Sequence, residues 1–226
     1  MTDDRLAILH EGHRFLVVNK PAGIATEKNF TNDTVEARAL RQFRRPRSLR
    51  DPFVGIVHRL DRVTSGALLL ALNKSTLVSL NEAFADRRAE KVYWAVTDHP
   101  LPAATGRLRH FLGRDRTGRR AVAATRPLPG TREATLDYRL VSAHDGQYAY
   151  EIRPLTGRFH QIRAQLSAAG CPIQGDADYG SARPLPPYSI ALHARSLRFP
   201  DPASGEAISV TAPPPAHLRL FTDAPT

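Results

Sequence analysis

The chain has 226 residues, enough for one large catalytic domain or two small ones with a sizeable core, and 42% hydrophobic content excludes wholesale disorder. Its 32 Lys and Arg outnumber 22 Asp and Glu, a net charge of +10, so a polyanion is the first partner to expect. One cysteine, Cys171, excludes an intramolecular disulfide and a thiolate metal cluster.

Arg exceeds Lys by 28 to 4, as a GC-rich genome would also write it; that drift explains which base is used, not the excess over acids. No basic segment followed by an apolar core opens the chain, and its longest aliphatic run, residues 67–72, is far too short to span a bilayer. A cytoplasmic monomer with no membrane partner is the default.

In chain order, residues 6–10 and 15–19 read as two strands around Glu11 and Gly12. Asp33-Thr34-Val35-Glu36 has capping-box spacing and predicts a helix to about Phe43, stopped by Pro46. Residues 56–57 and 67–72 are apolar enough for buried strands. Leu77, Leu80 and Phe84 mark a helix over 74–88. Strands follow at 92–97, 136–141 and 148–154, the last two separated by His144-Asp145-Gly146-Gln147. A helix begins near Phe159, with Ile162 and Leu166 on one face and Gly170 as its stop. Strands at 192–199 and 207–211 close the chain. No linker divides it, so a single catalytic domain over residues 1–226 is expected. The pattern is α+β, with a mixed, largely antiparallel central sheet flanked by helices.

Several chemistries are absent. No glycine spacing fits G-x-G-x-x-G or G-x-S-x-G, and no glycine pair five apart leads into Lys-Ser or Lys-Thr. H-E-x-x-H is missing. Asp176-Ala177-Asp178 fails as a calcium loop, because Ser181 and Pro187 stand where Gly and Glu are required. No cofactor and no metal is supported.

One polar string remains between two apolar strands: His58-Arg59-Leu60-Asp61-Arg62-Val63-Thr64-Ser65-Gly66. Read alone, Asp61 is either a turn cap or a carboxylate held at a sheet rim facing a cleft. The whole string, H-R-L-D-x-x-T-S-G, resembles the signature of the pseudouridine synthases of the RluA type. Lys20-Pro21-Ala22-Gly23 resembles that family's K-P-x-G motif, and Lys91-Val92-Tyr93-Trp94-Ala95 its K-x-Y-x-A strand. Thr156-Gly157-Arg158-Phe159-His160-Gln161-Ile162-Arg163 resembles its T-G-R-x-H-Q-I-R segment. Residues 170–176 with Tyr179-Gly180, and Leu192-His193-Ala194 with Leu197 and Phe199, follow in the same order. The resemblance runs over residues 6–212. Phe159 departs from it where Thr is common, Gln165 where His is common, and residues 24–30 differ from the usual continuation. The extra N-terminal RNA-binding domain of some members is not expected, since K-P-x-G begins at residue 20.

The resemblance implies a fold with a catalytic cleft and an isomerase that needs neither cofactor nor metal. Such an enzyme breaks the bond from ribose to N1 of uracil, turns the base and rejoins it through C5. It implies Asp61 as catalytic carboxylate, working like the carboxylates of glycosidases. Arg158 keeps that carboxylate charged and aimed, because a lone Asp in an apolar cleft would protonate. Tyr93 stacks on the base, and its hydroxyl is available to a ribose proton. Ile162 lines the uracil pocket. Arg59 fills the space left by a flipped base. Lys20, Arg62 and Arg163 are expected as RNA or base contacts, Lys20 as a buttress or phosphate contact. His58 and His160 are read as structural.

Two basic stretches are expected to grip a structured tRNA or rRNA: Arg38, Arg41, Arg44, Arg45, Arg47 and Arg50, then Arg107, Arg109, Arg114, Arg116, Arg119 and Arg120. The second falls between strands, where a mobile loop would clamp the substrate. Two other readings stay open. A non-catalytic RNA-binding or ribosome-assembly protein on the same fold has no need to keep Asp61, Tyr93 and Arg158 together. A small-nucleoside hydrolase has no need of the basic excess.

Overall fold

The computed structural model describes residues 4–27, 33–44 and 51–221, with side chains to residue 218. The chain forms two compact units, residues 1–91 with 194–213 and residues 92–193 with 214–226.

In the first unit, β1 (Ala7–Gly12) and β2 (Phe15–Lys20) make the expected antiparallel hairpin. β2 pairs antiparallel with β4 (Ser65–Ala71), which also takes the two-residue β3 (Gly55–Ile56). β10 (Leu192–Pro200) lies beyond β4, and its residues 196–200 pair with β11 (Ala207–Thr211). Every residue of β4 is buried, which is why it reads as a continuous apolar run. α2 (Lys74–Ala85) is capped by Asn73, whose side chain accepts the Thr76 N–H at 2.8 Å. It packs Leu77, Leu80 and Phe84 on Phe15, Val17, Leu69 and Phe199. It stops three residues before the expected end, where Arg87 turns left-handed (φ 58°).

α1 (Val35–Gln42) starts later than the capping-box reading placed it. The cap is Thr34, whose hydroxyl accepts the Ala37 N–H at 3.1 Å. Asp33 instead grips the Arg38 guanidinium with both oxygens, at 2.7 and 2.6 Å. A charged fork five residues along is a stronger partner for that carboxylate than one orphan amide.

The second unit is an antiparallel sheet in the order β5 (Glu90–Thr97), β9 (Gln147–Pro154), β8 (Arg132–His144), β6 (Thr105–Arg114), β7 (Ala121–Ala124). Asp145 and Gly146 both have positive φ, 51° and 68°, so the expected turn between β8 and β9 is a tight hairpin. β6 and β7 were not expected. Their span carries the charge of a basic loop, yet exposed Arg107 and Arg109 alternate with less exposed Gly106 and Leu108, the period of a half-buried strand. α3 (Gln161–Ala168) lays Ala164 against Leu112, Ala121 and Ala134. Gly170 (φ 77°) ends it as expected, with the Cys171 N–H bonded back to Leu166 O at 2.9 Å. The class is thus α+β with a largely antiparallel sheet. No helix among the described residues is long and apolar enough to cross a membrane.

Candidate active site

The expected site residues divide between the two units. Asp61, Lys20, Arg59 and Arg62 are gathered in the first; Tyr93, Arg158, Ile162 and Arg163 lie in the second.

In the first unit the chain leaves β3, passes through residues 57–64 and enters β4. Asp61 sits in this turn, partly exposed, its carbonyl accepting the Thr64 N–H at 3.0 Å. The turn is held from below by the Lys-Pro-x-Gly segment, about 40 residues earlier in sequence. Gly23 N–H donates to Arg62 O at 2.8 Å, and Arg62 Nε donates to Gly23 O at 2.8 Å. Gly23 has φ 95°, a left-handed conformation that explains why glycine stands there. Lys20 is fully buried and its Nζ donates to the carbonyls of Pro21, Ile24 and Arg62 at 2.9, 2.8 and 3.2 Å. Burial pulls its pKa down to about 7; the Asp61 carboxylate pushes it up and Arg62 pushes it down. Lys20 therefore ties three backbone carbonyls of two turns together beside Asp61, the geometry of a buttress. Thr26, which no motif flagged, fixes the other side: its hydroxyl donates to Leu60 O at 2.8 Å and accepts the Leu60 N–H at 3.2 Å.

His58 behaves as the structural histidine expected. Its Nε2 accepts the Leu69 N–H at 3.2 Å and its ring stacks on Phe84 with centroids 5.1 Å apart. Burial, helped by the nearby Lys91 charge, drives its pKa down to about 3, so the ring is neutral at pH 7. Arg59 is exposed and its Nη1 rests on the Glu27 carboxylate at 3.1 Å.

In the second unit, Tyr93 is buried on β5, opposite Ile152 in register. The Thr-Gly-Arg turn between β9 and α3 is wired by Gln161. Its Oε1 accepts the Thr156 hydroxyl at 2.8 Å and the Arg158 N–H at 3.0 Å, and its Nε2 donates to Thr135 O at 3.0 Å. In sequence Gln161 is legible only as a motif residue; its partners come from β8 and the preceding turn once the chain folds. The Arg158 side chain is exposed, and its Nε donates to Glu133 O at 3.0 Å. Ile162 is buried on the first turn of α3. Arg163, expected at RNA, is buried with its fork closed on Asp176 at 2.7 and 2.8 Å, and its guanidinium lies 4.8 Å over the Tyr179 ring. Asp176 is legible in sequence as the end of the family-like segment 170–176 and in a rejected calcium loop, but not as the partner of Arg163.

The basic stretches are largely matched by acids. Arg38 and Arg41 face Asp33, Arg44 faces Asp51 at 3.7 Å, Arg107 faces Asp137 and Arg109 faces Glu133 at 2.9 Å. Arg45, Arg47 and Arg50 lie outside the described residues. Arg116 and Arg119 are exposed on the turn between β6 and β7.

A sequence model described as RNA pseudouridylate synthase matches residues 14–168. The chain belongs to the RNA pseudouridylate synthase family. It is 34% identical to ribosomal large subunit pseudouridine synthase D of Xanthomonas campestris, over 98% of this chain and 70% of that protein. It is also 34% identical to an uncharacterized RNA pseudouridine synthase of Chlorobaculum parvum, over 98% of this chain and 74% of the other. The solved structure of human RNA pseudouridylate synthase domain containing 1 superposes with a TM-score of 0.76 at 30% identity, over 94% of this chain and 84% of that one. The family assignment makes this RNA pseudouridylate synthase an isomerase acting on RNA.

Proposed function

We propose that this enzyme converts specific uridines of structured rRNA or tRNA to pseudouridine, with Asp61 as the catalytic carboxylate. The observation that carries the reading is the mounting of the Asp61 turn. Lys20, Gly23 and Thr26 hold the backbone of Leu60 and Arg62 on both sides of a carboxylate left partly exposed. That much rigidity around one Asp suits a group that must meet an anomeric carbon in fixed geometry.

In this reading Asp61 attacks or stabilises C1′ as the bond to N1 breaks. The uracil turns, C5 bonds to C1′, the C5 hydrogen leaves as a proton, and N1 takes up a proton from water, so the product is an isomer of the substrate. Tyr93 stacks on the base, Ile162 closes the pocket, and Arg158 acts on the charge of Asp61. To occupy the gap of a flipped base, Arg59 gives up Glu27. Arg62, whose Nε is committed to Gly23, serves the turn before it serves RNA. Arg163 is read here as a buried post for α3 rather than a phosphate contact. The family match runs through both units, which supports their action as one catalytic domain. We place the enzyme in the cytoplasm as a monomer that uses no cofactor or metal.

Relatives named for the large ribosomal subunit make rRNA the first substrate to test. Transcripts of rRNA and tRNA carrying tritium at uridine C5 are incubated with the enzyme and released tritium is counted. Release by the native enzyme and none by Asp61→Asn, with RNA affinity kept within about a few-fold, is the expected result. Turnover by Asp61→Asn removes the assignment. Salt-sensitive binding with no release from any RNA supports a binding protein instead.

A further inference from the structure

Phe159 follows Arg158 and stands where threonine is common in the motif. Its ring stacks on the His160 imidazole, with centroids 3.8 Å apart and planes 21° apart. The guanidinium of Arg114, the last residue of β6, lies 4.1 Å over the same ring. Arg114 Nη1 also donates to Gly118 O at 2.8 Å, within the turn between β6 and β7. One guanidinium is therefore bonded to the basic turn and packed on the neighbour of Arg158.

Two further contacts run in parallel. Tyr179 Oη accepts the Ala121 N–H at 2.7 Å and lies 3.0 Å from His160 Nδ1. Arg120 Nη1 donates to Asp178 O at 3.2 Å. The turn carries its own scaffold: the Asp115 carboxylate accepts from the Thr117 hydroxyl and from the Arg119 and Arg120 amides. Arg116 and Arg119 project from it, exposed. On the other side, His160 is left-handed (φ 49°), a conformation that a residue with a side chain keeps only where its surroundings enforce it. Half-buried Phe159 packs against the cluster of Leu112, Ala121, Ala134, Ala164 and Tyr179 and in doing so joins the left-handed turn at His160 to the basic turn.

We propose that Phe159 is a positioning residue that locks residues 156–160, and with them Arg158, to the basic β6–β7 hairpin, so that RNA phosphates gripped at Arg116 and Arg119 are held in register with Arg158. The proposal rests on the isomerase reading above. It makes the hairpin a fixed arm rather than a mobile clamp.

The test uses the full chain with Phe159→Ala, Phe159→Tyr, Arg114→Gln, Arg114→Lys and the double Phe159→Ala/Arg114→Gln. Single-turnover tritium release at saturating RNA is compared with the dissociation constant at several salt concentrations and with thermal midpoints. Phe159→Ala and Arg114→Gln are expected to slow release on the order of 10- to 100-fold, the cost of a small loss of aim. The double variant is no slower than the worse single, because both remove one contact. Phe159→Tyr and Arg114→Lys recover most of the rate, since ring and cation are retained. Affinity and its salt slope stay unchanged in Phe159→Ala, Phe159→Tyr and Arg114→Lys, which keep every cation of the hairpin. Arg116→Gln with Arg119→Gln instead weakens binding and flattens the salt slope by about 1.4 to 1.8. A native rate for Phe159→Ala overturns the proposal. So do rate and affinity falling in step, and a loss of rate that follows the thermal midpoint without rescue by Tyr or Lys. If the native enzyme releases nothing from any RNA, the isomerase reading fails first and this role fails with it. Arg114–Phe159 coupling in the thermal midpoints then persists, which tells the two failures apart.

Discussion

His58 lies three residues before Asp61, where a proton carrier would be convenient, but its surroundings remove it from that role. The ring is enclosed, accepts a backbone amide and keeps a pKa near 3 instead of 6.5. Between those two values the unfolded chain holds a proton on this imidazole that the folded protein does not. Stability is therefore present above pH 6.5, falls as pH drops through the window, and is fully lost below about 3. Comparing urea midpoints from pH 7 to 4 for the native enzyme and His58→Phe isolates the effect. The variant is expected to lose less stability on acidification; parallel curves would mean the imidazole is already protonated or solvated in the fold. Lys20 shows the same lesson in a lysine: a motif residue that looks like a phosphate ligand is consumed by three carbonyls beneath the Asp61 turn.

At the scale of elements, the strands that bracket Asp61 were readable because burial on both faces leaves a continuous apolar run, as in β4. The glycine at the second position of that strand is as specific as the carboxylate before it. A Cβ on Gly66 would sit 2.3 Å from the Ala194 carbonyl oxygen and 2.7 Å from its nitrogen, and Gly66 has φ 118°. Backbone cannot swing away as a side-chain tip can. Gly66→Ala is thus expected to lower the unfolding free energy by about 2 kcal/mol or more, read from chemical denaturation. A change within about 0.5 kcal/mol would show that β4 and β10 yield there. β6 and β7 were missed because arginines on the exposed positions disguised the alternation, and a charged run reads as loop when its period is not counted. The helix starts were displaced for a related reason. Asp33 and Thr34 both suit a cap, and only the position of Arg38 decides which of them is free to be one.

For the whole molecule, the count of 32 Lys and Arg overstates the grip available to RNA. Arg38, Arg107 and Arg109 already face carboxylates, so a phosphate must displace an acid rather than water to reach them. Binding is expected to weaken by roughly 40- to 500-fold between 50 and 200 mM salt, as for about three to five phosphate contacts rather than ten. Filter binding across that range checks it. A flat response would remove the polyanion, and a tenfold steeper one would mean the ion pairs open on binding.

What the sequence determined by itself was the chemistry and the class of fold. H-R-L-D-x-x-T-S-G, K-P-x-G and T-G-R-x-H-Q-I-R are local strings, and local strings survive without coordinates. Turn glycines such as Gly23, Gly146 and Gly170 were legible for the same reason, since left-handed backbone is a demand made on one residue at a time. Which charges are spent inside the protein was decided only by tertiary structure. Arg163 and Asp176, Arg107 and Asp137, and Lys20 and the Arg62 carbonyl meet across 13 to 42 positions of chain. A guanidinium gripping phosphate and one gripping a buried carboxylate are the same residue in a sequence. Burial and the partner brought by folding set them apart.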